Sequence, residues 1–346
     1  MSTNTSDADA AEPSHPRATT VLFGHDGAER TLLDAYRGGR LPHAWLIGGP
    51  PGIGKATLAY RMARFVLAHP DPHAPAVQSA PSLALPDDHP AVRRVAAQGH
   101  PDLLVLERTV GDTGKLRTRI AVDDVRQSVT FFCSTAGEGG WRVALIDSVD
   151  ELNDESANAL LKVLEEPPRQ ALLLLVSHAQ GRVLPTIRSR CRLLMLRPLS
   201  AADVARGAAA ALGRAADEPD VQEAAALADG SIGQALTLLE GSALALRKRV
   251  VELLNRLPNV DPRALHALGD ALAGTEPKTL AIFVDTVNAW LSARLSQGPQ
   301  EAGRMARIAA AWDKINRAGR DANEYNLERR PLVFNVFGWL AEAARG

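Results

Sequence analysis

Through the first two hundred residues, short apolar runs alternate with stretches of helical period. Ala44, Trp45, Leu46 and Ile47 form the first run. Residues 103–106, 141–147, 171–176 and 193–196 supply the others. The run Ala171-Leu172-Leu173-Leu174-Leu175-Val176 has no polar break, as expected of a strand buried on both faces of a parallel sheet. Between the runs the apolar spacing is that of helices. Residues 26–37 carry Leu32, Leu33 and Tyr36 on one side, and Gly38-Gly39 ends the pattern. Leu58, Met62, Phe65 and Val66 mark a second helix. Ala157, Leu160, Leu161 and Leu164 mark a third over 154–166, with Asn153 or Asp154 available to cap it and Pro167-Pro168 to stop it. Strands alternating with helices predict a doubly wound α/β domain that takes ligands at the carboxyl ends of its strands.

After Pro198 the pattern is helical throughout, with segments at 201–212, 221–228 and 231–240 and more from 243 onward. Asp229-Gly230 and residues 258–262 punctuate them. The expected organisation is a disordered tail over 1–18, rich in Ser, Thr, Asp, Ala and Pro, and a sheet domain over 19–197. A small helical domain over 198–245 and a second helical domain over 246–346 follow. Apolar pairs in 280–295 and 305–315 fit a core or a partner-facing surface equally well, since periodicity does not separate the two.

Chemistry concentrates between the first strand and the helix after it. Gly48-Gly49-Pro50-Pro51-Gly52-Ile53-Gly54-Lys55-Ala56-Thr57 has the glycines and lysine of a P-loop, in the strand–turn–helix context that motif requires. Gly49, Gly52 and Gly54 let backbone N–H groups close around phosphate oxygens. The helix start adds a positive dipole end, and Lys55 reaches the outer phosphates as a point charge. The hydroxyl that should follow the lysine and hold magnesium is absent, because Ala56 stands there. Thr57 comes one residue late, about 100° further round the helix. The strand over 141–147 ends in Asp147, which suits the magnesium side of such a site; Ser148, not a carboxylate, follows it. Without a ligand, the same stretch reads as a glycine-rich turn.

Four further features weigh less. Residues 69–100 hold several prolines and four histidines, His69, His73, His89 and His100, without a long period. They read as an excursion from the domain with a short helix near 91–97. The histidine spacing matches no zinc template and no cysteine lies among them, so solvated loop histidines are expected and zinc is not. Arg188 and Arg190 precede the last apolar run, where surface charge alone would explain them. A net charge of −1 over 346 residues announces no nucleic-acid surface. Two distant cysteines, Cys133 and Cys191, fit a reducing cytoplasm, and neither a membrane span nor a secretory leader is expected.

Several of these stretches together resemble the AAA+ clamp-loader subunits of the bacterial DNA polymerase III holoenzyme. Phe23-Gly24-His25, Leu41-Pro42-His43-Ala44, the P-loop and Gly139-Gly140-Trp141 with its Asp147 strand carry the resemblance. So do the run from Asn158 through Leu160-Leu161-Lys162 to Pro167-Pro168 and the triplet Ser189-Arg190-Cys191. The motifs cover residues 21–240. The resemblance implies an AAA+ P-loop domain with a parallel sheet, a helical lid and an all-α collar, within a ring that loads a sliding clamp onto primer-template DNA. The implied partners are gamma/tau motor subunits, a delta subunit, the clamp and, through the complex, DNA. ATP or ADP would contact Gly49, Gly52, Gly54, Lys55, Ala56, Thr57 and Asp147, with Ser177 at the family's sensor position. Arg190 would act in trans on a neighbour's ATP.

The departures are as informative. Ala56 and Ser148 lack the magnesium and water-orienting groups, and Gly233 stands where motor subunits carry a phosphate-sensing arginine. The four-cysteine zinc module of many relatives is absent, since no cysteine lies between the P-loop helix and the next strand. These losses imply a stator with weak or no ATPase, weak ATP or ADP binding and magnesium only alongside a nucleotide. The other readings are an active gamma/tau-type motor, a free-standing P-loop NTPase and a DNA-binding module. Elemental analysis of protein purified without an affinity-tag metal should return no stoichiometric zinc; one zinc per chain would overturn the reading of residues 69–100.

Overall fold

A computed structural model describes residues 15–108, 140–273, 277–295 and 302–345 and, between the first two stretches, 120, 125, 128, 130–132 and 137. The tail over 1–14, Cys133 and Gly139 lie outside the described residues. The chain divides into two compact units, Met1–Leu236 and Thr237–Gly346. The first therefore takes in both the sheet and the helices up to residue 236.

That unit is built on five parallel strands in the order β2-β3-β4-β1-β5. They are β1 (Ala44–Gly48), β2 (Leu103–Leu106), β3 (Arg142–Asp147), β4 (Ala171–Ser177) and β5 (Arg192–Met195). The helices around them are α1 (Asp26–Arg37), α2 (Lys55–Ala68), the short α3 (Pro75–Ser79) and α4 (Pro90–Ala96), α5 (Asp154–Glu165) and the single turn α6 (Pro185–Arg188). Successive side chains of a strand point to opposite faces, and here both faces are apolar. Trp45, Ile47, Val143, Leu145, Leu172 and Leu174 pack under α1 and α2. Ala44, Leu46, Ala144, Ile146, Leu173 and Leu175 pack on α5 through Leu160, Val163 and Leu164. All seven residues of β4 are buried. Register then fixes the site: Gly48 pairs with Ser177 and Met195, and Asp147 with Val176, so the carboxyl ends of β1, β3 and β4 form one edge. Asn153 starts α5, its side-chain oxygen accepting from Ser156 N–H at 2.8 Å.

α2 is buried on nearly every side, which strands two arginines inside. The Glu29 carboxylate on α1 accepts from Arg61 Nη2 at 2.7 Å and Nε at 2.8 Å, and from Leu83 N–H at 3.2 Å. Arg64 donates to the Thr19 carbonyl at 2.7 Å. Residues 69–100 therefore do not leave the domain. Val77, Leu83 and Val95 enter its core singly, which is why no period shows, and Arg37 and Trp141 bond the Val77 and Pro70 carbonyls.

The rest of the first unit is α7 (Ala201–Leu212), α8 (Pro219–Leu227) and the start of α9 (Ile232–Leu239). Ser200 caps α7, accepting from Asp203 N–H at 3.1 Å. The second unit holds α10 (Ala243–Asn255), α11 (Pro262–Leu272), α12 (Pro277–Leu295), α13 (Ala302–Glu324) and α14 (Arg329–Arg345). In it α10 packs on α12, α11 on α14, and α13 on both α12 and α14. Phe283, Val287, Ile315, Val333 and Val336 form its core. The apolar pairs at 280–295 and 305–315 thus divide: Leu280, Leu291, Ile308 and Ile315 are core, while Met305 is about half exposed. Gly319 lets α13 approach α12, since a Cβ there would stand 3.0 Å from Val284 Cγ2. No helix among the described residues is long and apolar enough to cross a membrane.

Removing one partner of a buried ion pair leaves the other uncompensated, at about 3 kcal/mol. Glu29→Ala is expected to cost about that much stability, which a lower urea midpoint with unchanged slope would show.

Candidate functional site

The loop from Gly48 to Lys55 turns sharply between β1 and α2. Gly52 has φ +72°, and a Cβ there would meet Ser231 Oγ at 2.3 Å; a Cβ on Gly49, at φ +147°, would meet the Leu196 carbonyl at 2.7 Å. Both positions therefore need glycine for two reasons, backbone conformation and space. Buried His25 lies under the turn, its Nε2 2.7 Å from the Ile53 carbonyl. Lys55 is 3% exposed and folds back on its own loop, donating to the Gly49 carbonyl at 2.8 Å and the Pro50 carbonyl at 2.5 Å. Burial pulls its ammonium down to about 8 against the attraction of Asp147 and Asp150.

A cavity of about 470 Å³ opens beside this loop, within the size range of small-molecule sites. Gly52, Gly54, Lys55, Ala56, Thr57 and Asp147 are among its lining residues. The lining also takes in apolar side chains, among them Val21, Leu22, Phe23, Ile232 and Leu236. Thr57 faces the cavity together with Ala56 despite the turn of helix between them. Burial raises the Asp147 carboxyl above the ordinary range, against the pull of Lys55, and Ser148 donates to it weakly at 3.5 Å. Asp150 is occupied elsewhere: its carboxylate accepts from His178 N–H at 3.0 Å and Ala179 N–H at 3.1 Å. Glu151 pairs with Arg108 at 2.9 Å.

Ser177 does not face the cavity. It is fully buried beside Gly48, and its hydroxyl has no hydrogen-bond partner. Val176 and His178 line the cavity instead. Reading polar character at the strand's end misses His178; counting two residues on from Val176 finds it. Gly49 contributes its carbonyl to Lys55 but no lining surface. Arg190 lies outside the cavity lining, pairing with Glu165 at 2.9 Å and donating to the Thr186 carbonyl at 3.0 Å. Its side chain is 37% exposed. Cys191 beside it is part-buried, which raises its thiol to about 12.

The start of α9 closes the loop from above. Gly233 N–H donates to the Gly52 carbonyl at 3.0 Å, and the Ser231 hydroxyl donates to the Pro51 carbonyl at 3.0 Å. Ser231 Oγ also accepts from Gln234 N–H at 3.1 Å. A Cβ on Gly233 would stand 3.0 Å from Gly52 Cα.

A nucleotide fits the cavity's volume, glycines and lysine. Magnesium finds less here than in a full P-loop, because Ala56 offers no hydroxyl beside Asp147. Among the described residues no three His, Cys, Asp or Glu side chains gather as metal ligands.

A family model described as DNA polymerase III, delta subunit, matches residues 24–200. DNA polymerase III subunit delta' of Pseudomonas aeruginosa is 38% identical over 228 residues, 64% of this chain and 63% of that one. Subunit delta' of Escherichia coli (strain K12) is 32% identical over 173 residues, 48% of this chain and 46% of that one. DNA polymerase III subunit gamma of Buchnera aphidicola subsp. Schizaphis graminum is 28% identical over 243 residues, 69% of this chain and 62% of that one. The match thus spans less than two thirds of each of these relatives.

Overpacking a tight backbone contact costs about 1–3 kcal/mol. Gly233→Ala is therefore expected to loosen the loop from α9. Hydrogen exchange at the residue 233 amide should quicken about tenfold or more; unchanged protection would show that the contact bears no load.

Proposed function

The chain belongs to the DNA polymerase III delta-subunit family, and we propose that it is a delta-prime-type stator: a ring member of the clamp loader that does not hydrolyse ATP. Membership in a clamp loader rests on the family match and on the delta' and gamma relatives. The stator reading rests on one observation, the α9 backbone seated on the phosphate loop where a motor needs an arginine. Ala56 and Ser148 point the same way, since metal and water alignment both lack their groups. The same positions speak against the gamma/tau motor and against a free-standing NTPase. In this reading residues 19–197 form the AAA+ domain, 198–245 the helical lid and 246–346 the collar. The neighbours are gamma/tau and delta subunits, with clamp and primer-template DNA engaged through the assembly, in the cytoplasm.

The cavity would hold ATP or ADP weakly. Lys55 is already satisfied by two carbonyls that a phosphate must displace. Arg190 would act outside its own subunit. It lies at the surface, away from the cavity, held only by an exposed carboxylate and one carbonyl. An exposed pair of this kind is worth at most about 1 kcal/mol, so a neighbour's γ-phosphate could draw the guanidinium away. Such trans arginines contribute roughly a thousandfold to a hundred-thousandfold in rate in P-loop systems.

Two experiments test this reading. The isolated chain should show no steady ATP turnover; turnover lost in Lys55→Ala would overturn the stator reading. In a reconstituted clamp loader, Arg190→Ala should leave assembly intact but lower DNA- and clamp-stimulated ATPase by about a hundredfold or more at the adjoining site. Unchanged ATPase and loading in an assembled ring would remove Arg190 from the mechanism.

A further inference from the structure

Near the end of β4 an imidazole occupies the cavity wall where sequence reasoning expected only a serine hydroxyl. His178 lines the cavity with Lys55 and Asp147, and its backbone is pinned because Asp150 accepts from both His178 N–H and Ala179 N–H. The side chain is exposed to solvent and so open to proton exchange. Around it stand Lys55 from α2, Asp150 from the turn after β3, Asp147 at the end of β3, and Arg108 beyond β2. The other phosphate-directed positions have lost their groups, at Ala56 and Gly233.

We propose that His178 is the second cationic contact, beside Lys55, for the outer phosphates of a nucleotide in this cavity, and that it takes up a proton as the nucleotide binds. The proposal rests on the nucleotide-binding reading above. Without ligand, partial burial and then the Lys55 charge hold the imidazole below its ordinary value of about 6.5, against Asp150. A phosphate between Lys55 and His178 reverses that balance, because an adjacent anion favours the charged imidazole. The bound-state pKa therefore exceeds the free one. His178's contribution to affinity grows as pH falls towards the free value and levels off beneath it.

The test is calorimetric titration of the full chain with ADP and with adenosine at pH 7.0 and 6.0, in wild type, His178→Gln and His178→Lys. ADP titrates in this range too, but it does so equally against all three proteins, so ratios between proteins isolate His178. At pH 6.0 His178→Gln should bind ADP about fivefold more weakly than wild type, with a smaller gap at pH 7.0. Adenosine should bind all three alike, and His178→Lys should keep ADP affinity at both pH values. Proton uptake, read from buffers of different ionisation enthalpy, should fall in both variants. Equal ADP affinity in wild type and His178→Gln at both pH values overturns the proposal but leaves the nucleotide reading standing. Equal losses for ADP and adenosine overturn it as well, since they mean damage to the cavity rather than a lost phosphate contact. Failure of wild type to bind either ligand overturns both readings.

Discussion

Two glycines in contact hold the phosphate loop and the first turn of α9 as one object. The Gly233 N–H reaches the Gly52 carbonyl at 3.0 Å, and a Cβ on either residue would crowd the other's backbone to about 3 Å. Ser231 adds a hydroxyl bond to the next carbonyl, that of Pro51. The glycine at 233 and the seat of α9 on the loop are therefore the same fact. A side chain at 233 would have to begin inside the loop, so a chain that keeps this contact gives up an arginine there. A ligand moves a conformational equilibrium only by its differential affinity for the two states. Where the protein's own backbone already seats α9 on the loop, a nucleotide has little left to change there.

How far the sequence told this in advance depends on the range of the contact. Strand-length apolar runs are local, and the strands follow them closely, because β1, β3 and β4 are buried on both faces and leave no polar side to confuse the pattern. Asp147 was readable for the same reason, as the polar stop of one such run. The bond from Ser231 to Pro51 joins residues 180 apart, and no local pattern carries it. His178 was missed by a single residue of strand register, the least legible quantity in a sequence. The burial of Arg61 and Arg64 on α2 is non-local in the same way, since Glu29 and the chain at Thr19 and Thr20 cover them.

Retention of Lys55 in a loop that has lost its metal ligand calls for a physical reason, and the hydrogen bonds supply one. Its ammonium ties the Gly49 and Pro50 carbonyls together from within the turn, at 2.8 and 2.5 Å. In a phosphate-filled P-loop the ligand's oxygens meet that charge; here the loop's own carbonyls do. Removing the lysine would leave two carbonyls and the nearby Asp147 without their cation, a cost that applies whether or not any nucleotide binds. The loop is thus kept in shape from two sides, by an internal cation below and by the α9 backbone above. Such a loop needs no phosphate to hold its form. Any phosphate that enters must displace carbonyl oxygens already well placed, and it gains by doing so only where a further positive group waits. On this cavity's wall the side chain suited to that task is the imidazole of His178, whose charged form burial and the Lys55 ammonium disfavour while no anion stands between them.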